Sequence, residues 1–160
     1  MLCDQPISLL IASGRYTFEG IANGSGAPKG RELEIAWLLK SMKKRNVSNV
    51  VWLTADVHYA AAHHYHPGRA KQFKDFDPFW EFVTGPLNAA TFGPNRLDRT
   101  FGPKVDWHSI PDGMPFGASP LHGLQFFGMV NIDPSSQRLT VTQHGIDGRQ
   151  LYQKTLEPRA

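Results

Sequence analysis

Arg31 to Thr54 reads RELEIAWLLKSMKKRNVSNVVWLT, and its hydrophobic period changes partway along. Ile35, Leu38, Leu39 and Met42 fall at i, i+3, i+4 and i+7, with Leu33 and Trp37 widening the apolar stripe, so a helix is expected. Glu32 and Glu34 stand in its first turn and Lys43, Lys44 and Arg45 in its last, the arrangement that the helix dipole favours. Asn49 to Thr54 (NVVWLT) is a continuous apolar run with β-branched and aromatic residues, suited to a buried strand. Helix, short turn and buried strand together are an α/β signature.

Before this unit, residues 13–31 are glycine-rich and read as a loop. Ile7 to Ala12 reads as a buried strand and a poor signal peptide, because Asp4 precedes it and no Lys or Arg does. After the unit, residues 63–122 hold most of the twelve prolines. They predict long loops with one short strand near Trp80 to Thr84, a pattern common around functional sites. From Leu124 onward the period becomes two. Leu124, Phe126, Val130 and Ile132 alternate with polar or small residues, as do Leu139 and Val141. Turn signals at Asp133–Gln137 (DPSSQ) and Asp147–Gly148 separate three runs ending at QLYQKTL, which predicts an antiparallel meander.

The composition limits what such a chain can be. At 160 residues with 41% hydrophobic content, it can form one domain with a sizeable core. A net charge of +3 with scattered Lys and Arg argues against nucleic acid as a specific partner, and no apolar run approaches a membrane span. The single cysteine, Cys3, excludes an intramolecular disulfide. No Gly-x-Ser-x-Gly, Walker A or Cys-x-x-Cys pattern occurs.

Acid and imidazole gather after the buried strand, in VWLTADVHYAAAHHYHP (Val51–Pro67), which holds four of the seven histidines. On an extended segment Asp56 and His58 project to one side, where they could reach one cation or two adjacent ones. A carboxylate and a neutral imidazole suit iron, zinc or manganese, and a carboxylate also suits calcium. The bland alternative is an aspartate making a turn beside a packed histidine. Asp106 and His108 repeat the spacing, so the spacing alone specifies little. His63, His64 and His66 cannot all face one point of a strand, and solvated loop histidines are the plain reading. Asn88 reads as a polar contact or as a turn residue.

Several linked segments add a resemblance that covers most of the chain, from about Phe18 to Tyr152. They are GRELEIAWLLKSMKKRNVSNVVWLTADVHYAAAHHY, FWEFVTGPLNAATFGPN, GLQFFGMVNID and DGRQLY, in that order. Together they resemble the C-terminal part of the PhoD-like alkaline phosphatases, phosphodiesterases and phosphatases of the metallophosphoesterase superfamily. The resemblance implies a four-layer α-β-β-α sandwich with metals at strand ends, closed here by the antiparallel meander. It implies metal-dependent hydrolysis of phosphate mono- or diesters at a two-metal site, with iron and calcium as the metals and export to the periplasm or beyond. TADVH matches the superfamily's last metal-binding motif, in which His58 would ligate the iron-type metal and Asp56 the second metal. The nearby histidines, His63 and His64, are the candidates for the acid that protonates the leaving group. The family's earlier motifs, which supply most ligands, have no counterpart in residues 1–50. The chain, residues 1–160 as a single domain, therefore reads as the C-terminal portion of a larger phosphatase domain. A rival reading is a non-catalytic fragment that binds metal or a partner chain. Half a sandwich should expose an apolar face, so a homo-oligomer or a missing N-terminal half is the expected partner.

Overall fold

The computed structural model describes residues 31–114 and 117–159, with the backbone of short strands at Leu2–Cys3 (β1), Ile11–Ala12 (β2) and Phe18–Glu19 (β3). The rest of the strand expected at Ile7–Ala12 and of the loop expected at 13–31 lies outside the described residues. Helix α1 spans Arg31–Lys44, and strand β4 spans Val51–Thr54. Both stand where the periodicity placed them. Leu33 and Trp37, however, do not widen the buried stripe. They are 52% and 67% exposed, while Leu39 is buried and Ile35, Ala36 and Leu38 are half-buried against the core.

Beyond β4 come β5 (Ala61–Tyr65), β6 (Phe79–Val83) and β7 (Pro103–His108). They form a five-stranded sheet in the order β1-β4-β6-β5-β7. Strands β1, β4 and β6 are parallel, while β5 runs antiparallel to both neighbours. The chain leaves β4, passes the end of β6, descends as β5 and returns between them as β6. Thr54 pairs with Val83, and Val83 with Ala61, so the segments after β4 and after β6 leave the sheet at one end. Two strands thus stand in the region expected to be loops. β5 carries no alternation because it is almost wholly buried, and its Ala and His residues have little strand preference of their own. β7 is a sheet edge opened by a proline and carrying the exposed charges of Lys104 and Asp106.

The predicted meander is present as β8 (Phe126–Ile132), β9 (Leu139–Gly145) and β10 (Gln150–Leu156), ordered β10-β9-β8. Asp133 Oδ1 accepts from the Ser135 and Ser136 amides and hydroxyls and closes the first turn, and Gly148, at φ 82, closes the second.

On one face of the five-stranded sheet, Trp52, Tyr65 and Phe79 pack with Leu39 of α1, Phe76 and Phe101. On the other, Phe82 and Ala62 pack with Val141, alongside Val51, Leu53, Leu139 and Leu156. Burying a side chain the size of Phe82 contributes about 1.5–3 kcal/mol. A third cluster, with Val57, Tyr59, Ala60, Ala61, Val83 and Phe126, lies under the end where the loops leave. Helix, mixed sheet and antiparallel sheet make three described layers of an α/β fold, and no helix among the described residues is long and apolar enough to cross a membrane.

Candidate functional site

Strand β4 stops at Thr54, and the chain then turns at Asp56, whose φ is 69. The segment is therefore not extended, and the same-side projection expected of Asp56 and His58 does not apply. Aspartate tolerates this left-handed backbone better than most residues, and such conformations concentrate at functional sites. Asp56 is exposed, and its carboxylate makes no hydrogen bond or ion pair among the described residues. Val57 and Tyr59 on either side of His58 are buried at 3% and 2%, so the turn is anchored by its apolar residues.

His58 is half-buried, and its Nδ1 is hydrogen-bonded to the carbonyl of Ala90. A carbonyl only accepts, so Nδ1 carries the proton and Nε2 keeps its lone pair. This is how metal-ligating histidines are oriented by their outer partners. The ring also stacks on Phe92, with centroids 4.4 Å apart.

Ala90 and Phe92 belong to the loop after β6, and its backbone is fixed at several points. Ala89 N–H donates to Gln125 Oε1 at 3.1 Å, and Gln125 Nε2 donates to the Ala89 carbonyl at 2.9 Å. Thr91 exchanges backbone bonds with Ala118 at 2.8 and 2.9 Å, and its hydroxyl donates to the Leu124 carbonyl. Asn95 N–H donates to the Tyr59 hydroxyl at 3.0 Å. A Cβ on Gly93, at φ 122, would lie 2.7 Å from the Tyr59 ring, so this close approach requires glycine. Burial pushes the Tyr59 hydroxyl up to about 12, which keeps it a neutral acceptor for that amide. Two Gly–Pro bonds in this loop, Gly85–Pro86 and Gly93–Pro94, are cis. Asn88 is exposed in a bend of the same loop.

The other histidines stand elsewhere in the sheet. His63 is 1% exposed and donates from Nδ1 to Glu81 Oε2 at 3.1 Å, where the Tyr65 hydroxyl also donates at 2.8 Å. His64 stacks on Trp80 at 4.8 Å, and Lys154 Nζ lies 4.2 Å from the Trp80 ring. Arg69 Nη2 donates to the His64 carbonyl at 2.5 Å. Burial, with the charges of Arg69, His66 and Lys154, holds the His64 imidazole below its ordinary range. His66 accepts the Gly68 amide on Nδ1, starting a short 3-10 turn. All three are on or beside a strand rather than in a solvated loop. Strand β5 lies two places from β4 in the sheet, about 9.5 Å across, and runs away from the end that carries Asp56. Of the second Asp-x-His pair, Asp106 accepts from the Tyr152 hydroxyl and His108 Nδ1 donates to the Ile110 carbonyl.

Nothing in the composition pointed to Ala90, Phe92 or Gln125: Ala90 acts through its carbonyl, and Gln125 through a side-chain amide that meets the loop only once the chain is folded. The one available signal was the paired Gly–Pro dipeptides that bracket the loop. As donors, the Asp56 carboxylate and the His58 Nε2 fit a first-row transition metal, while no group of three or more His, Cys, Asp or Glu among the described residues could hold a metal ion.

Comparison with curated proteins and with solved structures gave no match. The PhoD-like phosphatase family matches residues 11–143, which include β4, the Asp56–His58 turn and the whole loop that orients it. The chain belongs to the PhoD-like phosphatase family.

Proposed function

We propose that this chain contributes Asp56 and His58 to a metal-dependent site that hydrolyses phosphate mono- or diesters. The observation that supports it most is the His58–Ala90 bond, which leaves Nε2 with its lone pair to coordinate, two residues from a carboxylate that has no partner among the described residues. Metal ions bound there would polarise a phosphoryl oxygen and activate a water, and iron and calcium are the pair that the family resemblance implies. Asp56 would bring negative charge without needing to shed a partner. His58 would bring a neutral nitrogen whose direction is set by Ala90 and Phe92. Two protein donors are fewer than a metal cage needs, so the remaining ligands come from outside the described residues or from another chain. In the same reading the chain is the C-terminal portion of a four-layer phosphatase domain.

Proton donation to the leaving group is not assigned to His63 or His64 here. His63 is sealed against Glu81, and His64, held below its ordinary range, is neutral near pH 7 and short of a proton to give.

A second reading, a module that binds metal but does not hydrolyse, is supported by the lack of a third donor near Asp56 and His58 among the described residues. One experiment separates the two. The purified chain is titrated calorimetrically with iron, calcium and manganese, and hydrolysis of a chromogenic phosphodiester is followed with each metal. Asp56→Ala and His58→Ala are run in parallel. Metal affinity and turnover both lost in the variants support the site. Metal binding lost in the variants, with no turnover in any form, supports the module. Affinity unchanged in both variants removes Asp56 and His58 from either reading.

A further inference from the structure

At the end of the first sheet opposite Asp56 and His58, cations gather around His64 with little to balance them. His64 lies opposite Trp80 of β6 and Lys104 of β7 in the sheet register, so the three share the face on which the meander packs. Its ring stacks on Trp80, and Lys154 of β10 reaches the same indole, with Nζ 4.2 Å from the ring centre. Arg69 closes the end of the strand, and the His66 ring stands 6.2 Å from that of His64. Arg69, Lys104 and Lys154 form no ion pair among the described residues. One carboxylate faces His64, that of Asp106, and the Tyr152 hydroxyl already donates to it at 2.6 Å. Strand β1 joins the sheet at its other edge, beyond β4, and α1 packs on the other face, so neither covers the cluster.

The Arg69 guanidinium is held in place before any ligand arrives. Nε donates to the Gly102 carbonyl at 3.2 Å and Nη2 to the His64 carbonyl at 2.5 Å, which leaves the Nη1 edge unbonded among the described residues. The turn that carries it is fixed as well. Gly68 N–H donates to His66 Nδ1 at 3.0 Å, and Gly102 passes so close that a Cβ there would lie 2.6 Å from the His66 carbonyl oxygen. Arg69 Nη2 also faces His64 Nδ1 at 3.4 Å, so Nδ1 keeps the lone pair and Nε2 carries the proton. The free groups of Arg69, His64 and Lys154 are thus all donors. Their complement is an anion that accepts on every side, and a fixed guanidinium fork matches carboxylate or phosphate. Three permanent cations against one carboxylate leave two charges unbalanced, which favours a dianion over a carboxylate.

We propose that this cluster binds a phosphate dianion, as orthophosphate or as the terminal group of a small phosphomonoester, through Arg69, Lys154 and the Nε2 proton of His64. The bound charge offsets the cations that hold the imidazole below its ordinary range, so the ring takes up a proton more readily when the ligand is present. The binding requires neither Asp56 nor His58 and is independent of the hydrolytic reading.

Calorimetric titration of chelator-treated protein with orthophosphate and with glycerol 2-phosphate, at fixed ionic strength in chloride, tests the site. One saturable site is expected. Arg69→Gln and Lys154→Gln should each weaken it about tenfold, and the second variant, which removes no backbone contact, serves if the first fails to fold. Arg45→Gln, which removes the same charge beside the end of α1, and Asp56→Ala should leave the affinity unchanged. The His64 ring is followed by proton NMR, its signal identified by loss in His64→Gln. Its titration midpoint should rise by about one pH unit when phosphate replaces chloride. Equal affinity for the two ligands supports the phosphate group as the recognised element, tighter binding of the ester supports a phosphomonoester as its source, and tighter binding of orthophosphate supports the free ion. Absence of saturable binding by either ligand overturns the proposal. So does a His64 midpoint that is the same in phosphate and chloride, or an Arg45→Gln loss as large as that of Lys154→Gln. Binding abolished in Asp56→Ala overturns it too, because the phosphate would then lie at the other end of the sheet.

Discussion

Glu81 sits at the centre of the five-stranded sheet with no exposed surface, and one oxygen, Oε2, accepts from both Tyr65 and His63. Replacing it by leucine keeps the volume but leaves a hydroxyl and an imidazole N–H without that acceptor. Each buried donor that loses its acceptor costs about 1–3 kcal/mol, and here two donors share the one that is removed. Glu81→Leu should therefore lose about 3–5 kcal/mol. Glu81→Gln retains one acceptor oxygen and should lose about half of that. The triple variant Glu81→Leu, Tyr65→Phe, His63→Leu removes these two donors together with the acceptor they share and should recover part of the loss. Urea unfolding reads the difference. With a slope of about 2 kcal/mol per molar, the Glu81→Leu midpoint falls by about 1.5–2.5 M. A midpoint shift below about 0.5 M would refute the reasoning. A triple variant weaker than Glu81→Leu alone would do so as well, because it would show that packing rather than orphaned polar groups sets the cost.

Gly102 separates backbone strain from collision. At φ 63, its added Cβ would lie 2.4 Å from the Ala70 nitrogen and 2.6 Å from the His66 carbonyl oxygen, whereas one on Gly123, at φ 73, would meet nothing within 4 Å. Both alanine variants incur about 1–2 kcal/mol for the left-handed backbone, and only Gly102→Ala should lose a further 2 kcal/mol or more by thermal unfolding. The lowered His64 titration gives a pH signature. The unfolded chain takes up this proton near 6.5 and the folded chain only at lower pH, so stability present above that value declines as pH falls through it. His64→Gln, which leaves Arg69, His66, Lys154 and Asp106 around the site, should flatten that decline in denaturant midpoints measured between pH 7 and about 5.

Periodicity located α1, β4 and the meander because each is amphipathic or uniformly apolar over several residues. It missed β5, whose AAHHY is buried on both faces and so lacks the alternation that half-buried strands show. That miss turned His63 and His64 into loop residues, when both are held by strand neighbours. Leu33 and Trp37 were misplaced for a different reason: apolar residue type marks what can be buried, whereas the face of α1 that meets the core runs through Ile35, Ala36, Leu38 and Leu39. For the site, residue type and position picked out Asp56 and His58. The Ala90 carbonyl that sets the imidazole's direction is legible only once the loop is folded over it.

That loop constrains change in an uneven way. Between Gly85 and Asn95 the anchors are main-chain groups, at Ala89, Ala90, Thr91 and Asn95, while Leu87 and Asn88 stand exposed. Identity is cheap at Leu87 and Asn88, but length is not. A single inserted or deleted residue between Ala89 and Ala90 would move the Ala90 carbonyl relative to its anchor at Ala89 and so away from His58 Nδ1. Drift in this segment should therefore proceed by substitution at the tip and almost never by a change in residue count.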